Sequence, residues 1–437
     1  MSQTLLKDAN FRWLMGGAVL SGLGDQFTMI ALPWLVLKMT GDPLALGLVI
    51  AIMGVPRAVF MLLGGALVDR YSPKSVLMVT KFANALVIGT LAVLVLGAPA
   101  LLTPPLLYAL ALALGLAQAF AFPAGMSILP TLVAREHLQA ANGIMMGLRQ
   151  LLMLAGPLLG ALLMVVGGDD IHAASRQGQG AGNANGIGYA FAYDCASFLV
   201  SAWTLAKVRV LAGAQAAPAP GQGVLHAVAE GMRTLWQNMA VRTCFIYWSL
   251  AAIVVGGTMQ VALPLLASRN LDGAASLGIL MGAHGVGTLA GMALSRTKLR
   301  AITFGATILA IDALVGILMS PLGAITAAWQ GMVLLAVIGV LGGYMQIAVF
   351  TWIQQSVPPH MLGRAMSIFM SIFMGVAPLS AMLIGALLQW ISLQQLFAGG
   401  GALLLALATF AWIATPMRHI QAHYEAAPAL AEDVSQP

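Results

Sequence analysis

Residues 44–68 read LALGLVIAIMGVPRAVFMLLGGALV, an apolar run interrupted by one charge, Arg57. A helix rises about 1.5 Å per residue, so this run can cross a hydrocarbon core about 30 Å thick. Comparable runs fill most of the 437 residues, of which 60% are hydrophobic and 8% charged. Soluble domains carry about 25% charged residues. In water such a chain would expose large apolar patches, whereas lipid is as apolar as the side chains themselves. The 49 glycines fit the same solvent, because small residues let membrane helices approach closely.

Further spans are expected near 11–37, 75–97, 104–128, 138–166 and 188–207, and then near 242–267, 275–295, 301–320, 325–350, 362–391 and 395–416. The expected fold is an all-α membrane protein with twelve transmembrane helices in two pseudo-symmetric six-helix halves, 1–207 and 242–418. Residues 208–241 join them: 212–223 is rich in Ala, Pro and Gly, and 224–239 has helical apolar spacing that predicts an amphipathic surface helix. The stretch 167–188 reads as a flexible loop, and 419–437 as a disordered tail. The start of the chain, with Lys7 and Arg12 before an apolar run and no small-residue cleavage pattern, reads as a retained first helix. The halves repeat weakly: Gly65, Asp69 and Arg70 correspond to Gly291, Ser295 and Arg296, and 160–163 (GALL) recurs at 385–388. Parallel six-helix repeats are a transporter plan with the substrate site between them.

Lys and Arg set the orientation. With both termini cytoplasmic, all 20 fall inside except Lys38, Arg176 and Arg269, with Arg57 and Arg149 left within helices; Lys81 counts as inside. The expected location is therefore a bacterial inner membrane, multi-pass. Trp34 and Trp390 are expected at the outer interface, and Trp13, Trp352 and Trp412 at the inner one.

Several classes are disfavoured. The net charge of +6 is dispersed, with no basic stripe for nucleic acid. Cys195 and Cys244 make neither a disulfide framework nor a metal site. No phosphate-cradling glycine loop ends in Lys-Ser or Lys-Thr, and no His/Cys cluster has metal spacing. Neither an enzyme nor a cofactor is expected.

After the second span comes Gly65-Ala66-Leu67-Val68-Asp69-Arg70-Tyr71-Ser72-Pro73-Lys74. It resembles the loop 2–3 signature of the major facilitator superfamily, with Ser72 and Pro73 in place of that signature's second glycine and first basic residue. Ala31-Leu32-Pro33-Trp34, Phe122-Pro123-Ala124 and Ala141-Asn142-Gly143 are similar to the macrolide-efflux and enterobactin-exporter-type branch. Gly156-Pro157-Leu158-Leu159-Gly160 resembles the core of a helix 5 signature of proton-coupled antiporters, without its upstream glycine. A packing kink is the alternative reading of that Gly-Pro pair. The resemblance implies alternating access and proton-coupled efflux of an amphipathic small molecule, a drug or a siderophore-like metabolite, by a monomer in the lipid bilayer. Uptake of a metabolite or lysolipid, and a non-transporting receptor or assembly protein, are the alternatives.

Charges left in hydrocarbon cost roughly 2.5–3.5 kcal/mol each, so each is a functional candidate. Asp25, Arg57, Arg149 and Asp312 are the candidates for coupling or gating. Asp25 and Arg57 lie at matching depths on oppositely directed helices, so a pair is expected, serving either coupling or as a structural latch. Asp194 reads as a solvated helix end, His284 as a packing residue, and Met126, Met145, Met146, Met153, Met370 and Met374 as either an adaptable apolar wall or lipid-facing filler.

Overall fold

The computed structural model describes residues 5, 7–133, 137–168, 184–210, 236–295, 303–356 and 362–421, with the backbone alone at 62–70, 139, 362–368 and 371–373. The expected loop (over 169–183), the linker and most of its amphipathic segment (over 211–235) and the tail beyond Gln421 lie outside the described residues.

Twelve long helices occur among the described residues: α1 (Ala9–Thr40), α2 (Pro43–Tyr71), α3 (Pro73–Gly97), α4 (Pro104–Ile128), α5 (Leu138–Val166), α6 (Asn185–Lys207), α7 (Met239–Asn270), α8 (Ala274–Leu294), α9 (Phe304–Met319), α10 (Ala328–Ser356), α11 (Leu362–Leu387) and α12 (Leu393–Ala414). A π-helical turn, Thr258–Ala262, interrupts α7. Ten of the helices are long and apolar enough to cross a membrane; α11 contributes the shorter apolar segment Met374–Leu387. α6 is the polar one, carrying Asp194, Ser197, Ser201 and Thr204.

Local chemistry sets the ends. Asp8 caps α1, its carboxylate accepting from Asn10 N at 2.7 Å and Phe11 N at 3.1 Å. Gly41 ends that helix in the left-handed region at φ 62°, where a glycine carries no Cβ penalty. Ser392 and Gln395 form a capping box at α12. Ser72 alone turns α2 into α3, at φ 77°. It stands where the family signature has a glycine, and its left-handed backbone is the reason that signature favours one.

The two halves use the same pairings. α2 packs on α4, α3 on α6 and α1 on α5; correspondingly α8 packs on α10, α9 on α12 and α7 on α11. Glycines make the closest of these approaches: Gly115 faces the Met53 backbone, while Gly287 and Gly343 face the backbones of Ala336 and Thr288. The halves meet along two seams, α2 with α11 and α5 with α8. Outside the seams Leu86, Val166, Phe410 and Ile413 are exposed, an arrangement suited to lipid contact.

The two ends of the bundle differ. At the end opposite the termini, Ile30, Ala31, Leu32, Trp34 and Leu35 of α1 are buried, as is every residue of 261–268 in α7. There Gly47 and Gly54 meet Ala381 and Pro378 across one seam, and Gly278 meets Pro157 and Ala161 across the other. Nearer the termini, Asn142, Gly143, Met146, Gly147 and Arg149 of α5 are exposed, and nothing lies within 4 Å of a Cβ placed at Gly143 or Gly147. The bundle is therefore closed at the far end and splayed at the end of its termini.

Two tryptophans depart from expectation. Trp34 and Trp352 are each only 3% exposed, not interfacial. Trp352 stacks on Phe304, centroids 5.1 Å apart, and donates Nε1 to the Gln421 carbonyl at 3.2 Å. Thr303 also bonds the Arg418 carbonyl, and Gly305 N donates to Ile420 O at 3.1 Å, so the described chain beyond Arg418 is tied to α9 and α10. Trp13, Trp390 and Trp412 are exposed.

Candidate functional site

Five ionisable side chains gather in the first half. Asp25 on α1 lies within electrostatic reach of Lys81 on α3, Arg57 on α2 and Arg149 on α5. It is nonetheless exposed, as is Met29 one turn further on. An exposed residue with charges around it from three other helices faces an interior space rather than lipid. Arg149 faces that space too: on α5, Asn142, Met146, Arg149 and Met153 fall on one helical stripe and all are exposed, between the residues that meet α1 (Leu152, Gly156) and those that meet α8 (Leu154, Leu158).

Asp25 and Arg57 do not form the expected direct pair. Arg57 reaches α4 instead, donating Nη1 to Gln118 Oε1 at 3.1 Å, while its buried Nε has no hydrogen-bond partner. Arg149 sits over the Phe122 ring of α4, 5.8 Å from its centroid, a cation–π contact. Asp25 is thus an unpaired carboxylate near three cations, each engaged elsewhere. Such a group can change its protonation without breaking a structural ion pair.

Lys81 and Asp194 depart from expectation. Lys81 lies about 12 Å into α3, given the rise of 1.5 Å per residue from Pro73, rather than at a membrane end. It donates to Ser21 Oγ at 2.7 Å and lies 5.0 Å from the Phe198 ring centroid. Asp194 is 1% exposed, not a solvated helix end. Its Oδ2 accepts from Thr28 and its Oδ1 from Ser197 at 3.2 Å. The local reason is a fit between faces: Gly17 and Gly24 of α1 lie against Thr204, Ser201, Ser197 and Asp194 of α6, so the polar stripe of α6 is buried and supplied with partners. The alternation of Asn, Tyr, Asp, Ser and Thr along 185–204 was the available signal.

The helix 5 motif is a packing device in this conformation. Gly156 admits Gln26, Gly160 admits Phe27, and the Pro157 carbonyl and Ala161 meet Gly278 of α8. One motif thereby brings α1, α5 and α8 together. In the loop 2–3 motif, Gly65, Asp69 and Arg70 fall in the last turns of α2, where only the backbone is described. Lys74 donates Nζ to Val208 O at 2.7 Å and Ala206 O at 3.4 Å, which places a cation on the carbonyl end of α6.

Asp312 stands apart from this cluster. It is 3% exposed on α9, beside the Tyr247 phenol of α7, with no cation acting on it among the described residues. Asp312 Oδ2 and Tyr247 Oη are buried without a geometric hydrogen-bond partner, and the phenol lies near enough to the carboxyl to act on it. His284 is half-buried in α8, where its carbonyl meets Gly339 of α10. Met126, Met146 and Met153 are exposed; Met145, Met370 and Met374 are half-buried. No group of three or more metal-ligating side chains occurs among the described residues.

Comparison with known proteins agrees with this architecture. The multidrug efflux pump Tap of Mycolicibacterium fortuitum is 26% identical over 394 residues, covering 88% of this chain and 90% of Tap. The enterobactin exporter EntS of Escherichia coli O1:K1 / APEC is 27% identical over 342 residues, covering 77% of this chain and 74% of EntS. Among solved structures, an auto inhibited POT family peptide transporter superposes with a TM-score of 0.71 at 12% identity, over 92% of this chain and 96% of that one, a likeness of fold alone. The family model of the Major Facilitator Superfamily matches residues 14–381. With twelve helices in two like-packed halves around a charged interior, this chain is a multi-pass membrane protein that belongs to the Major Facilitator Superfamily of transporters.

Proposed function

We propose that this transporter is a proton-coupled exporter of amphipathic small molecules, working by alternating access as a monomer in a bacterial inner membrane with both termini cytoplasmic. In that orientation the splayed end faces the cytoplasm, and the conformation is the one that loads substrate from inside. Substrate enters between the halves against the exposed stripe of α5. Arg149 over Phe122 offers a cation beside an aromatic face, and Met146 and Met153 offer an adaptable apolar wall. Arg57, anchored through Nη1 to Gln118, supplies a second cation near Asp25. The interior thus favours molecules that join an apolar body to an anionic or acceptor-rich group, the character of a drug or a siderophore-like metabolite. Export rather than uptake is supported by the relatives, one an efflux pump and the other an exporter.

The observation that carries proton coupling is Asp25: an exposed carboxylate inside the bundle, near three cations but bonded to none of them. A proton taken up there from the outward-open state would be released to the cytoplasm on return. Everted vesicles energised by respiration test this. Adding a transported dye or catecholate should dissipate the pH gradient, and Asp25→Asn should abolish the response while the protein still accumulates. Normal proton-coupled flux in Asp25→Asn would remove Asp25 from the mechanism.

A further inference from the structure

Of the three cations near Asp25, Lys81 is the one that also acts on a second carboxylate, Asp194. On α1, Ser21, Asp25 and Thr28 occupy successive turns. Ser21 accepts from Lys81 at 2.7 Å, and Thr28 donates to Asp194. Gly24, between them, has no side chain, and Asp194 and Ser197 of α6 fill the space a Cβ would take. One stretch of α1 therefore holds Lys81 at one end and Asp194 at the other, with Asp25 between.

Asp194 accepts from the Thr28 hydroxyl on Oδ2, the Ser197 hydroxyl is shared between Oδ1 at 3.2 Å and the Asp194 carbonyl at 2.7 Å, and at 1% exposure the carboxyl is shut off from bulk solvent. A buried charge needs a partner, and Lys81 is the cation acting on it among the described residues. Lys81 also acts on Asp25. The charged and titratable groups around the two acids are Arg57 from α2, Lys81 from α3, Arg149 from α5, and Tyr193 and Cys195 beside Asp194 on α6. α4 adds only Gln118, bonded to Arg57.

We propose that Lys81 is a counter-ion held in common by Asp25 and Asp194, and that this α1–α3–α6 triad sets how readily Asp25 takes its proton. While Asp25 is ionised, Lys81 is divided between two carboxylates. When Asp25 binds a proton, Lys81 serves Asp194 alone, and the charge buried between α1, α3 and α6 stays balanced. Proton release leaves one net negative charge on the triad, at Asp25, and Arg57 and Arg149 act on it from α2 and α5, so the charge is not left uncompensated in the hydrocarbon, where it would be costly. Lys81 and Asp194 are positioning residues in this scheme; Asp25 alone carries the proton. The inference rests on the coupling role proposed for Asp25.

The full chain in lipid nanodiscs tests it without any substrate, by following the infrared carbonyl band of protonated carboxyls against pH. Asp25→Asn should delete one titrating band. Lys81→Met removes a cation, and the Asp25 band should appear at a pH higher by about one unit, the scale of one nearby charge. Asp194→Asn removes the competing anion and should move it lower. Lys81→Arg should leave it in place, which a purely packing role for the lysine stem would not distinguish from Lys81→Met. If Lys81→Met fails to accumulate, the downward move in Asp194→Asn is the deciding measurement. An Asp25 band unmoved by Asp194→Asn, or by Lys81→Met where that variant accumulates, overturns the triad and leaves the role of Asp25 standing. A spectrum unchanged by Asp25→Asn overturns the coupling reading, and the triad with it.

Discussion

The two halves share a packing plan but not an interior. α2 on α4 and α8 on α10 are equivalent glycine-lined pairs, and so are α3 on α6 and α9 on α12. Yet α1 lies along the whole of α6, polar face to small-residue face, whereas α7 meets α12 much less closely. The first half gathers Asp25, Arg57, Lys81, Arg149 and Asp194 around α1. The second half has Asp312 and His284 on separate helices, neither near another charge among the described residues. Packing is thus symmetric and electrostatics is not. The repeat supplies the scaffold, and departures from the repeat gather the charges in one half.

If packing is symmetric, the same lesion should act alike in both halves. Gly115→Leu in α4 and Gly343→Leu in α10 each push a side chain into a neighbouring backbone, Met53 or Thr288. Each should destabilise by about 3 kcal/mol or more, because overpacking against backbone cannot relax. Detergent-solubilised protein should lose its monodisperse peak on size exclusion in both. A half that tolerates its leucine would break the equivalence.

Electrostatic asymmetry makes the opposite forecast. Asp25→Asn should lose proton-coupled flux, whereas Asp312→Asn should keep most of it, since Asp312 is 3% exposed and no cation acts on it among the described residues. Asp312→Leu should stabilise the protein by about 1–3 kcal/mol, the cost of a buried unpartnered polar group, read as a higher unfolding temperature in the same detergent. Loss of flux in Asp312→Asn with normal stability would move part of the coupling into the second half.

Smaller effects concern the turn between α2 and α3. Lys74→Met removes the cation on the α6 carbonyl end and should cost about 0.5–1 kcal/mol. Ser72→Gly relieves a positive-φ backbone at φ 77° but also removes the hydroxyl that caps α3 by accepting from Ser75 N at 3.4 Å, so steric relief, the lost cap and the added freedom of glycine in the unfolded chain should leave the stability within about 0.5 kcal/mol of wild type. Both are measured by thermal unfolding of the purified protein.

Much of this was legible beforehand. Apolar runs of the right length gave the helix number. Asp25 and Arg149 stood out because a charge within an apolar run has few innocent explanations. The Asp25–Arg57 pair was not found, because matching depth fixes only one coordinate and Gln118 on α4 was nearer in azimuth. Lys81 and Asp194 were misjudged for a related reason. Each lies within ten or so residues of a helix end, and sequence distance from an end does not say whether the side chain turns toward water or toward a neighbouring helix. Trp34 and Trp352 were placed at interfaces by the same one-dimensional logic, and both are core residues.

The sequence by itself determined the solvent, the helices and the family, because hydrocarbon imposes its demand on every residue of a run and length and polarity along one axis are enough to meet it. Only the tertiary structure decided which charges share a site, since a helix presents a side chain every 100° and a neighbour's identity depends on how twelve such cylinders are rotated and packed. That rotation is set by close fits such as Gly24 against Asp194 and Gly156 against Gln26, contacts between residues far apart in the chain that no local pattern encodes.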